Sequence, residues 1–249
     1  MTVMFVLSVI LFVLMWLIGG LKGLGAFFSL GINILILVVL TTLLSWGFNL
    51  YIVVGLGAIM ILTVTIISSG ADEDTATTAM IVSTFIMIIL IVLIVPIVTY
   101  TKAFGFAGEH ASMLESLSLT IPVNFMNLTI AATLLATLGA ISEATVAFVA
   151  ATHIIYRDAP GQKFNELYQA SQKAGIAIVG TALNTVLFGF FASFLGAALV
   201  FAKLQYSLAE IINAKLFVAT MLSVLFAILG VLLVFPITLI CFYYQRQDS

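Results

Sequence analysis

Seven runs of roughly 20 apolar residues follow one another along this chain, each long enough to cross hydrocarbon as a helix. They cover approximately Val3–Gly19, Ala26–Gly47, Leu50–Ser69, Met80–Tyr100, Val123–Ile155, Ile176–Phe201 and Leu216–Tyr243. Inside a bilayer no water can pair exposed backbone N–H and C=O groups. Such runs are therefore restricted to α-helices, which satisfy those groups internally. The expected fold class is all-α: a polytopic membrane helical bundle of about seven spans, forming one integral domain over residues 1–249. Hydrophobic residues make up 63% of the chain and charged residues 7%. A soluble domain carries about 25% charged residues, so the lipid bilayer is the first partner to expect.

The fifth run exceeds the length a span needs, and it would tilt, protrude or break near Gly139-Ala140. Pro96 and Pro236 fall near the ends of runs, where they would kink a helix. Pro122 sits before a helix start, where its missing N–H costs nothing. The N-terminus lacks a basic stretch, so the first run reads as a retained helix.

The charges exclude several roles. Eight Lys and Arg spread over short loops make no nucleic-acid surface. A single cysteine, Cys241, allows neither an internal disulfide nor a cysteine metal cluster. With the N-terminus outside, Lys22, Arg157, Lys163, Lys173 and Arg246 fall on the cytoplasmic side and Lys102, Lys203 and Lys215 on the other. That bias favours a C-terminus inside, under the rule that basic loops stay in the cytoplasm. Asp72-Glu73-Asp74 would supply favourable charge at the N-terminus of the fourth span.

Between the spans lie three short amphipathic stretches, read as interfacial helices that lead into the next span. Ser112–Glu115 and Ser207–Glu210 have capping-box spacing. Phe164, Leu167, Tyr168 and Ser171 make one face of the third.

Glu143 is the single formally charged side chain within the apolar runs. An acid near mid-bilayer costs about 2.5–3.5 kcal/mol on insertion scales, so it usually faces a bundle interior or a watery cavity and has a partner. Small residues surround it on the fifth run: Ala136, Gly139, Ala140, Ala144 and Ala147. The sixth run carries a polar and small stripe that includes Gly180, Thr181, Asn184, Thr185 and Gly189. Stripes of this kind let membrane helices approach, with Asn or Thr bonding across the seam. The two runs are antiparallel neighbours, which sets Glu143 at the depth of Asn184 and Thr185. Two readings follow. Glu143 is a protonated structural group, or it loads and releases a proton or cation, with Asn184 and Thr185 as polar partners. Gly139, Ala147, Gly180 and Gly189 are the expected packing positions. The chain has no HExxH motif, no GxSxG elbow, no Cys/His cluster and no cofactor fingerprint, so a membrane enzyme is disfavoured. Glu109, His110 and Glu115 read better as a polar loop than as a metal site. His153 is expected at the interface or against a helix neighbour.

The runs Leu138-Gly-Ala-Ile-Ser-Glu143-Ala, Phe164-Asn-Glu-Leu-Tyr-Gln-Ala-Ser171 and Gly180-Thr-Ala-Leu-Asn184-Thr185 resemble the YibE/F-like family of bacterial multipass proteins. So do Gly20-Leu-Lys-Gly-Leu, Ser29-Leu-Gly-Ile-Asn33 and Gly47-Phe-Asn49. The length matches the shorter, YibF-type member. Family members typically carry Asp in Gly-Ala-x-x-Asp, where this chain has Glu143. The resemblance implies a bacterial plasma-membrane location and a YibE-like membrane partner or, failing that, a homo-oligomer. A weaker likeness links the chain to the SecD and SecF export subunits and other RND transporters. There an acid on one helix is followed by a cytoplasmic turn, a short amphipathic helix and a polar stripe on the next helix. That likeness implies an RND-like unit of spans two to seven and a proton-relay role for Glu143. The expected function is proton- or cation-coupled transport or export. The competing class is a non-catalytic subunit that supports or assembles a membrane complex.

Overall fold

A computed structural model describes residues 2–103 and 125–247 of the chain. Among the described residues the elements are helices: α1 (Thr2–Ser45), α2 (Leu50–Ser68), α3 (Glu73–Thr101), α4 (Phe125–Asp158), α5 (Phe164–Lys203), the short α6 (Leu208–Asn213) and α7 (Lys215–Gln247). Six of them are long and apolar enough to span a membrane. The chain is a multipass membrane protein.

The first helix is two limbs. Gly20 has φ 54° and ψ −135°, a left-handed backbone that glycine adopts without a Cβ clash. Beyond it the chain folds back. The Phe12 and Phe27 rings pack at 5.2 Å, although 15 residues of straight helix would hold them about 22 Å apart. A Cβ on Gly23 would overlap the Met15 carbonyl, so glycine permits the close return. The limbs correspond to the first two apolar runs of the sequence.

The core lies where α2, α3, α4, α5 and α7 meet, around Leu62, Ile86, Leu90, Leu138, Ile141, Phe148, Leu167, Val231 and Phe242. Gly230 on α7 is packed so closely that a Cβ would press on Ile141 and Leu90. Gly175 on α5 would likewise clash with Phe235 and Phe148. The second limb of α1 joins through a small cluster of Ile36, Leu40 and Val53, and through Asn33 Nδ2 donating to Thr65 Oγ1 at 3.0 Å. Most of the first limb and much of the distal half of α5 leave large apolar side chains exposed, as lipid-facing helices do.

One end of the bundle gathers several chain reversals. Lys22 Nζ, just after the Gly20 turn, donates to the Gly70 carbonyl between α2 and α3 at 3.3 Å. Arg157 and Pro160, at the end of α4, line a cavity with Asp72 and Thr75. Thr78 donates to Gln245 near the end of α7 at 2.9 Å. Lys22, Arg157 and Lys163 therefore share an end, and Lys102, Lys203 and Lys215 lie at the other.

Several expectations need correction. Gly139-Ala140 does not break α4, which runs through them without interruption. Pro96 lies near the end of α3, as expected, whereas Pro236 lies well inside α7. Phe164–Ser171 is not a separate interfacial helix. It forms the first turns of α5, with Leu167 and Ser171 fully buried, Phe164 against Tyr243 and Tyr168 against Phe235. The capping box at Ser207 is present and starts α6, with Glu210 bonded back to the Ser207 backbone at 2.7 Å. Ser112–Glu115, Glu109, His110 and Pro122 lie outside the described residues.

Candidate functional site

Helix α4 holds Glu143 near its middle, 18 residues from Phe125 and 15 from Asp158, or about 22–27 Å from either end. The helix turns one face to the core through Leu138, Ile141, Thr145, Phe148 and Val149. Glu143 is on the other side. It is exposed, in line with exposed Ala132, Ala136, Gly139 and Ala147 at successive turns. The bundle-interior position expected of a membrane acid is not where this side chain lies. The cause is rotational register: two residues from Thr145 is about 200° around the helix, so burying Thr145 turns Glu143 outward.

Glu143 opens onto a groove of about 250 Å³ between α4 and α5, walled by Ala144, Ala147, Ala177, Ile178, Thr181 and Ala182. Small side chains on both helices leave this space. Thr181 is the polar residue that shares it. Asn184 and Thr185 are exposed on α5, one turn beyond the groove lining. The Thr185 hydroxyl donates to the Thr181 carbonyl at 3.2 Å, and the Thr181 hydroxyl to the Ala177 carbonyl at 2.9 Å. No hydrogen bond or ion pair to Glu143 occurs among the described residues. The direct contact to Asn184 or Thr185 expected from matching depths is not formed.

The packing positions also shift. A Cβ on Gly139, Gly180 or Gly189 would meet nothing within 4 Å. The close glycine contact between α4 and α5 is at Gly175, against Phe148. The sequence stripe begins beyond Gly175, which is followed three and four residues on by Ile178 and Val179, so small-residue spacing does not mark the close contact. The open glycines, with Ala147, leave a smooth face around the acid that a further helix can approach.

A second polar region escaped the sequence reading. It lies at the end that holds Lys22 and Arg157. Two cavities, about 520 and 370 Å³, share His153 and Asp74. The first also takes Asp72, Thr75 and Arg157, and the second Glu73, Thr78 and Gln245. The His153 ring packs edge-on against Phe242 at 4.8 Å, which agrees with the helix neighbour expected for it. Asp72 caps α3. The Thr75 hydroxyl donates to it at 2.8 Å and the Thr75 backbone N–H at 3.3 Å, and these bonds hold its carboxyl below the usual range. The signal that could have found this region is the juxtaposition of Asp72-Glu-Asp74 with His153 and Arg157. They are distant in sequence and meet only once α3 and α4 are paired.

No curated protein and no solved structure matches the chain. The family model described as YibE/F-like protein matches residues 7–247, nearly the whole length. The chain belongs to the YibE/F-like family.

Proposed function

We propose that this protein is a proton- or cation-coupled component of a membrane transport or export system, and that Glu143 is the group that loads and releases the ion. The observation that carries this reading is a lone carboxyl at mid-helix, open to a groove and unpaired within the described chain. A purely structural acid is ordinarily held by a partner, because an unpaired charge in hydrocarbon costs several kcal/mol on insertion scales. An acid that must gain and lose an ion needs access. Thr181 at the groove wall, and Asn184 and Thr185 further along α5, supply polar oxygens near the route. RND-like proton coupling by α2–α5 and α7 with the second limb of α1 fits this reading.

The bare surface around Glu143 supports a second part of the proposal: a further helix covers it in the working assembly. A YibE-like membrane protein is the preferred source, and a second copy of this chain is the other. Small side chains at Gly139, Ala147 and Gly180 permit close helix approach. The protein acts by binding and moving an ion, without enzyme chemistry.

The test is ion flux in membrane vesicles that contain the chain with its YibE-like partner. Glu143→Gln is expected to abolish flux at normal abundance, because Gln keeps shape and hydrogen bonding and cannot ionise. Glu143→Asp is expected to retain part of it. Wild-type flux in the Gln variant would overturn the proposal and leave a structural role for Glu143.

A further inference from the structure

Hydroxyls in membrane helices usually bond back to a carbonyl one turn earlier. Thr63, Thr99, Ser142, Thr152, Thr181 and Thr220 do so here. Ser83, Thr145 and Thr238 do not. All three are fully buried, and, like that of Ser171 on α5, their hydroxyl oxygens have no hydrogen-bond partner among the described residues. Burial does not force this, since Thr152 is equally buried and bonds back.

The three hydroxyls belong to one seam and nearly one depth. They come from α3, α4 and α7, which pack on one another in all three pairs. Thr238 lies between Phe235, which meets Phe148, and Phe242, which meets His153. Ser83 lies between Thr78, bonded to Gln245, and Leu90, beside Gly230 and Ile141. Both are therefore level with the Phe148–His153 stretch of α4, one to two turns from Thr145. Helical register supports a common direction. Thr238 is seven residues before Gln245, and Ser83 seven before Leu90, so each shares the face that touches the neighbouring helix.

This seam ends at the polar cavities. Thr78 and Gln245 line one of them together with His153, and Ser83 is five residues, or about 7.5 Å, further in. At the inner end, Ser142 is one turn from Thr145 and adjacent to Glu143. Ser142 is 2% exposed and its hydroxyl now bonds the Gly139 carbonyl at 3.0 Å. A buried unsatisfied hydroxyl is costly, because it has given up water without gaining a partner. A water that bonds to several of them removes that cost, as buried waters typically do with about three partners each.

We propose that the α3/α4/α7 seam is a water-bridged proton path from the His153 cavities to the depth of Glu143. Ser83, Thr145 and Thr238 anchor the waters. The proton passes between waters, each hop forming one O–H bond as the next one breaks, so no seam residue is left charged. Ser142 is the handover around α4 to the carboxyl. This path rests on the Glu143 reading, and the two fail differently.

Two measurements test it. In a high-resolution experimental structure of the full chain in lipid, ordered waters are expected within hydrogen-bond distance of the Ser83, Thr145 and Thr238 hydroxyls. Hydroxyls turned back to their own carbonyls, with no water beside them, would overturn the path. In inside-out membrane vesicles, the Thr145→Val, Thr238→Val double variant is expected to lose most proton flux. Its Glu143 should still react with a hydrophobic carbodiimide at the wild-type rate, which shows an intact site. The Thr145→Ser, Thr238→Ser variant should keep its flux. Normal flux in the Val variant, alongside a dead Glu143→Gln, sinks the path and spares the ion site. Normal flux in Glu143→Gln, or wild-type vesicles no different from a deletion strain, sinks both.

Discussion

Two acids on this chain meet opposite surroundings, and their chemistry follows. Asp72 stands at the start of α3, where the Thr75 hydroxyl and N–H donate to it. Those bonds favour the carboxylate over the acid form and depress its pKa. The sign is then fixed. Its contribution to stability is present above the unfolded value of 3.8 and is lost as pH falls through the lower folded value. Asp72→Ala should therefore melt below wild type at neutral pH, by an amount that shrinks under strong acid; thermal melts in detergent across that range check this. Glu143 has no such donors among the described residues. One turn to either side are Gly139 and Ala147, so nothing bulky screens it from whatever fills the groove. The presence of a mid-span acid was legible from sequence, because a charged residue stands out in an apolar run. Its direction was not. In a soluble helix, periodic apolar residues mark the buried face. Here the lipid-facing residues are apolar too, so the pattern carries little sign of which side is in.

At the scale of the helices, length was legible and contact was not. Runs of about 20 apolar residues mark spans because the bilayer sets their length. The Gly19-Gly20 pair appeared as a gap between runs, and it is where α1 folds back. The polar Phe164–Ser171 stretch misled, since a helix that continues past the hydrocarbon need not stay apolar. Its apolar face packs on α7 instead of on lipid. The same limit explains the glycines. A Cβ at Gly175 runs into Phe235, whereas one at Gly180 meets open space. Gly175→Leu is expected to destabilise the purified chain by about 1–3 kcal/mol, the range for overpacked cores. Gly180→Leu should leave its melting unchanged and, under the proposed assembly, weaken copurification of a YibE-like membrane protein. Equal melting of both variants would contradict the seam at Gly175.

For the whole molecule, the two limbs of α1 and the five other long helices carry the chain across the bundle. The ends of α4 and α7 and the starts of α3 and α5 share one side with Lys22. The basic residues on that side are the ground for expecting it to face the cytoplasm. Ala170, exposed near the start of α5, reports on it. In a Cys241→Ser background, Ala170→Cys should react with a membrane-impermeant thiol reagent in inside-out vesicles and stay unlabelled in intact cells. Labelling from outside would invert the orientation and move the His153 cavities to the outer face. The proposed ion coupling depends on Glu143 changing its charge. Infrared difference spectra of the full chain in lipid, taken as the pH is stepped, read that carboxyl directly. A protonated-carboxyl C=O band should come and go with the pH step, and Glu143→Gln should remove it. A band that persists unchanged at every pH would contradict ion loading at Glu143.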